Sequence, residues 1–145
     1  FGDPETQALL PRLTSDLFPV MKAASEGKLA DVAPLQWTSD ASVSVCMVSE
    51  GYPGLYPKGL PITGIDDATK QSGVMVFHAG TAVKNNQLVT AGGRVLNITA
   101  LAPTIPAAIV KAYEAVEKIH FQGAHYRKDI GQKALKRLTP SQPAH

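Results

Sequence analysis

Arg94-Val95-Leu96-Asn97-Ile98-Thr99-Ala100-Leu101-Ala102, followed after Pro103 by Thr104-Ile105-Pro106-Ala107-Ala108-Ile109, reads as a strand handing over to a helix. Thr104 is the capping residue, and the helix is expected to begin near Ile105. Ile105, Ala108, Ile109, Ala112, Val116 and Ile119 fall at helical spacing, so one face is apolar for about four turns' worth of sequence. Working outward, Asn85-Asn86 signals a hairpin turn between Ala82–Lys84 and Gln87–Thr90. Val74–Phe77 and Val43–Ser49 read as further strands, and residues 66–72 as one helical turn. Several short strands with one strong late helix give the α+β class.

The flanks are less regular. Residues 50–61 hold three Pro and three Gly and are expected to form a long irregular loop. Residues 4–24 show apolar positions at Leu9, Leu10, Leu13, Leu17, Val20 and Met21, a helical spacing interrupted by Pro11 and Pro19. Each proline removes a backbone donor, so a kink or two shorter helices are expected. Gly123 and Gly131 punctuate the end of the chain, and residues 136–145, with two Pro, read as a disordered tail.

At 145 residues the length suits about one domain, with 44% hydrophobic residues, enough for a core without staples. A net charge of +2 with no Lys or Arg stripe argues against nucleic acid, and no apolar run is long enough to span a bilayer. The single Cys46 excludes an internal disulfide; in Val43-Ser44-Val45-Cys46-Met47-Val48 it reads as a small hydrophobe. His78 has no Cys, Asp or Glu nearby at metal-ligand spacing, His120 and His125, five apart across a glycine, give a metal signal too weak to accept, and no zinc signature, P-loop or nucleophile elbow is present.

Three stretches offer chemistry on their residues alone. Phe1-Gly2-Asp3-Pro4-Glu5-Thr6-Gln7 reads as a turn feeding a helix, with Asp3 as N-cap, Pro4 at the first helical position and free N–H groups at the helix start. Gly92-Gly93-Arg94 reads either as a hairpin turn with a solvated Arg or as backbone N–H groups and a bidentate donor aimed at an anion. Tyr52 to Gly59 is either a surface loop or a phosphate-binding one, with Lys58 as point charge and Tyr52 and Tyr56 as hydroxyls or ring faces. His78 reads as a positioning residue and Arg127-Lys128-Asp129 as a mixed-charge face in which Asp129 pairs with a neighbour.

FGDPETQ resembles the segment by which phosphoribosylamine–glycine ligases leave their ATP-grasp domain. Four more blocks follow in that family's order: Gly51-Tyr52-Pro53-Gly54 with Tyr56, Lys58 and Gly59; Phe77-His78-Ala79-Gly80-Thr81; Gly92-Gly93-Arg94-Val95-Leu96-Asn97; and Tyr126-Arg127-Lys128-Asp129-Ile130-Gly131. The resemblance implies a small β-rich C-terminal domain of the barrel-sandwich, or rudimentary hybrid, type over residues 39–135, with residues 1–38 as the end of the ATP-grasp domain and its exit helix. It implies a cytoplasmic enzyme of purine biosynthesis that joins glycine to 5-phosphoribosylamine at the expense of ATP, with Mg2+ or Mn2+. Substrate contacts are then expected at Asp3, Glu5, Lys58, His78, Gly92, Gly93 and Arg94. ATP, the acidic metal ligands and an Arg are expected upstream of Phe1, with no metal ligand and no catalytic residue in these 145 residues, which should be inactive alone. Two rivals remain: the equivalent domain of another ATP-grasp carboxylate–amine ligase, and a non-catalytic module that binds sugar phosphates.

Overall fold

The computed structural model describes residues 2–138. Among the described residues there are five strands and five α-helices, with β2 to β5 following one another without a helix between them, as suits the α+β reading. The strands are β1 (Ala41–Val48), β2 (Val74–His78), β3 (Thr81–Lys84), β4 (Gln87–Thr90) and β5 (Arg94–Ala102). The helices are α1 (Glu5–Leu9), α2 (Leu17–Ser25), α3 (Ile65–Thr69), α4 (Ile105–Val116) and α5 (Gln132–Leu138). Among the described residues the strands form two separate antiparallel sheets and close no barrel: a three-stranded sheet in the order β1-β5-β2, and the hairpin β3-β4.

β5 is central because it is the strand that can be buried on both faces. Every residue from Val95 to Ala100 is buried, whereas β1 alternates, with Val43, Val45 and Met47 buried between half-exposed neighbours. One face of the sheet packs on α4. Leu96, Ile98 and Ala100 of β5 stand opposite Met47, Val45 and Val43 of β1, and Ala108, Ala112, Ala115 and Val116 of α4 close over them. Small residues on the helix let its backbone approach the sheet, so α4 and the sheet share one core. Thr104 Oγ1 accepts from the N–H of Ala107 at 3.3 Å, which is the cap the sequence signals. The helix itself stops at Val116, and buried Ile119 lies in the turn beyond it.

The hairpin turn is where it was expected, because Asn85 and Asn86 both take positive φ (50° and 63°), as a two-residue hairpin loop demands. Three local readings differ. The N-terminal helix is broken after Pro11 by the extended stretch around Leu13, but Pro19 lies in the first turn of α2, where a missing N–H costs nothing. Asp3 does not cap α1: the N-cap position is Pro4 and no side chain bonds there, because the Asp3 carboxylate is drawn to Arg94 instead. Lys136 and Arg137, placed in the tail, belong to α5; Thr139–His145 lie outside the described residues.

The other face of the sheet carries the N-terminal segment. Ser44 and Thr99 face each other across β1 and β5 with hydroxyls 3.0 Å apart. Thr99 also donates to the backbone carbonyl of Gln7 at 2.9 Å, which seats α1 on the sheet. Arg12 and Thr14 then pair with the returning strand segment at Thr38 and Gln36.

Candidate functional site

Four of the five sequence blocks meet at the end of the sheet where β5 begins. Gly80 packs against Gly92: a Cβ on Gly80 would collide with the Arg94 carbonyl and with Gly92, and the Gly80 carbonyl accepts from the N–H groups of both Ala91 and Gly92. Buried Ser49, just past β1, donates its hydroxyl to the Gly92 carbonyl at 3.0 Å and its N–H to the Gly93 carbonyl at 2.8 Å. That brings the following loop over the same turn. Tyr52 and Tyr56, with ring centroids 6.3 Å apart, lie directly on Gly93, where any side chain would strike both rings. Lys58 extends past Tyr56 with its ammonium 5.7 Å from the ring centroid and exposed to solvent.

Arg94 completes the cluster through the N-terminal block. Its Nη2 donates to Asp3 Oδ2 at 2.8 Å and its Nη1 to the Asp3 carbonyl at 3.0 Å. The other Asp3 carboxylate oxygen lies 3.5 Å from Gln7 Nε2. A shift in strand register makes this reach possible. Met47 stands opposite Leu96, but Val48 stands opposite Arg94, so Val95 has no counterpart. Such an extra residue re-aims its neighbours, and Arg94 is turned toward the face that carries Asp3.

Beneath this joint lies a buried polar layer. Asn97 is fully buried in the middle of β5 and neither of its amide atoms has a protein partner; Gln7 Oε1 is likewise buried and unbonded. Cys46, opposite Asn97 on β1, is half-buried. Burial pushes its thiol pKa above the ordinary value, Arg94 pulls it down and Asp3 pushes it up.

The sequence-selected residues therefore divide. Asp3, Gly92, Gly93, Arg94 and Lys58 gather around one turn. His78 does not join them. It pairs with Leu96 on the helix-packed face, bonds Thr81 Oγ1 through Nδ1 at 3.1 Å, and lines a cleft with Asp66, Asp67 and Lys70 near α3. The exposed Glu5 carboxylate folds back over Gly2. The glycines serve packing here: the Gly92 N–H is taken by Gly80, and Gly93 is buried under the two tyrosines. Both terminal nitrogens of Arg94, which the sequence offers as a bidentate donor to an anion, are engaged by Asp3.

Arg127 and Asp129 form a two-point ion pair at 2.7 and 2.9 Å, and the Tyr113 hydroxyl bonds the Arg127 carbonyl and the Ile130 N–H; this fifth block is a braced loop on α4. Ser49, Gln7, Thr99 and Asn97 were not singled out from the sequence. Only Asn97 carried a signal, as an amide in a strand otherwise buried and largely apolar. Among the described residues no three His, Cys, Asp or Glu side chains come together to hold a metal ion.

The family model for the C domain of phosphoribosylglycinamide synthetase matches residues 42–133. The chain belongs to this family. The C domain so defined contains β1 to β5 and α4, hence Lys58 and Arg94, while Asp3 lies before it. Curated relatives extend the likeness across the N-terminal segment. A phosphoribosylamine–glycine ligase from Rhodopirellula baltica is 51% identical over 93% of this chain, and a trifunctional purine biosynthetic protein adenosine-3 from Gallus gallus is 50% identical over 97% of it. The chain spans 31% of the first and 14% of the second. The crystal structure of phosphoribosylamine–glycine ligase from Thermotoga maritima superposes with a TM-score of 0.69 at 35% identity, over 89% of this chain and 31% of that one.

Proposed function

We propose that this chain is the C-terminal portion of an ATP-dependent ligase that joins glycine to 5-phosphoribosylamine and yields glycinamide ribonucleotide. Residues 1–38 are the end of its ATP-grasp domain and residues 39–135 its C-terminal domain. The observation that carries this reading is the meeting of Asp3, from the N-terminal block, with the Gly92-Gly93-Arg94 turn and Lys58. A carboxylate and a free ammonium close to one turn suit a pair of substrates of which one presents an amine and the other a phosphate.

In the reaction, ATP transfers its terminal phosphate to the glycine carboxylate. The amine of phosphoribosylamine attacks the acyl phosphate and phosphate leaves, so the products are ADP, phosphate and the amide. The contribution of this chain is position. Asp3 meets the glycine ammonium, and Lys58 meets the 5′-phosphate as a compact point charge. Holding two reactants in register can lower a barrier by about 7–11 kcal/mol in the best cases. ATP is bound by the parts of the ligase outside this chain. The described residues do not bring three His, Cys, Asp or Glu side chains together, and the Mg2+ or Mn2+ that the resemblance implies belongs with the parts of the ligase outside this chain. No helix among the described residues is long and apolar enough to cross a membrane, and we place the enzyme in the cytoplasm, working without nucleic acid.

Calorimetric titration of glycinamide ribonucleotide into the complete protein tests the phosphate assignment. A charged hydrogen bond is worth about 1.5–3 kcal/mol, so Lys58→Ala should weaken binding roughly tenfold to a hundredfold. Unchanged affinity in Lys58→Ala would put the phosphate elsewhere.

A further inference from the structure

We propose that Arg94 is a positioning residue for the amino-acid substrate, acting through Asp3, rather than a ligand of the phosphate. This rests on the ligase reading above and on the assignment of Asp3 to the glycine ammonium.

The geometry points this way at three places. First, the guanidinium holds Asp3 at two points, the carboxylate at 2.8 Å and the main-chain carbonyl at 3.0 Å. A single ion pair would leave the Asp3 side chain free to turn; adding the carbonyl fixes the backbone from which that side chain projects. Second, Arg94 reaches Asp3 only because the register shift at Val95 turns it to this face. Third, the segment is held again one helical turn later, where Thr99 of the same strand donates to the Gln7 carbonyl and Gln7 Nε2 approaches the second carboxylate oxygen of Asp3. One strand therefore grips the segment at both ends of its first turn. The pair is partly exposed, with side chains at 39% and 48% of full accessibility, so it contributes little to stability. What it supplies is orientation. The Asp3 side chain keeps 48% of its accessibility despite these contacts, and a substrate ammonium can meet it there. Lys58, whose exposed ammonium lies against the Tyr56 ring, remains the cation available to a phosphate.

The test is steady-state kinetics of the complete protein in wild-type, Asp3→Asn, Arg94→Ala, Arg94→Lys and the Asp3→Asn/Arg94→Ala double variant, varying glycine and phosphoribosylamine separately. Arg94→Ala should raise the glycine KM about tenfold while the phosphoribosylamine KM stays within about twofold, the loss of one charged contact. Arg94→Lys should recover part of this, since a lysine can reach only one of the two Asp3 oxygens. The double variant should be no worse than Asp3→Asn alone, because residues that act through one another are not additive. A rise confined to the phosphoribosylamine KM, multiplying effects in the double variant, or wild-type kinetics in Arg94→Ala would each overturn the proposal. A wild-type protein that turns over no glycine at all would overturn the ligase reading itself, and the assignment with it.

Discussion

The ring of Tyr52 occupies the space that a side chain on Gly93 would need. The two residues are 41 positions apart, and their contact places the Tyr52–Tyr56 pair, and with it Lys58, over the turn that leads into β5. Gly93 is thus a packing glycine. Gly93→Ala must push both rings away, and overpacking of this kind costs about 1–3 kcal/mol. Chemical denaturation of the 145-residue chain reads this directly; a midpoint equal to wild type would mean that the loop yields freely and that the tyrosines do not fix Lys58.

Asn97 makes the opposite prediction. A fully buried amide without a partner costs about 1–3 kcal/mol, and neither atom of this one is bonded within the protein. Asn97→Leu, of similar size, should leave stability unchanged or raise it. A clear loss in the same denaturation experiment would show that ordered water satisfies the amide.

The helix cap offers a third test. Thr104→Ala removes the acceptor of the Ala107 N–H and should cost about 1 kcal/mol. A negligible loss would mean that packing of α4 alone sets where the helix begins.

Cys46 reports on the Asp3–Arg94 joint. Its pKa is raised chiefly by burial, so the neutral thiol is favoured in the folded protein. The associated stability is fully present below the ordinary value of 9.0 and is lost as pH rises through the raised pKa. Alkylation rate against pH should give a midpoint above 9.0. Asp3→Asn should move it down, because the Asp3 charge raises it, and Arg94→Ala should move it up. A midpoint at or below 9.0, or no response to either variant, would contradict the placement of that pair over the thiol.

Local grammar made much of this fold legible. The Asn85-Asn86 turn, the Thr104 cap and the spacing from Ile105 to Val116 each specify structure within a few residues, and the strands and helix they delimit lie where expected. α5 escaped because its seven residues, Gln132–Leu138, are mostly polar and carry no cap that marks a start. Asp3 shows why the site was harder to read. By sequence it suits an N-cap, but a guanidinium 91 residues away competes for the same carboxylate and wins, and no local rule contains that residue. The same holds for Gly92 and Gly93, whose neighbours Gly80 and Tyr52 come from other blocks. Which blocks mattered could be read in one dimension; which faces they turn to one another required the register shift at Val95 and the crossing of β5 between β1 and β2.

We propose these residues as the positioning portion of a phosphoribosylamine–glycine ligase. Release of phosphate from ATP in the presence of glycine and phosphoribosylamine, measured for the complete protein and for the 145-residue chain side by side, tests it most directly. Turnover by the complete protein is expected to require both glycine and phosphoribosylamine, with none above background from the chain alone. Turnover by the isolated chain, or a complete protein that releases phosphate without need of glycine, would contradict it.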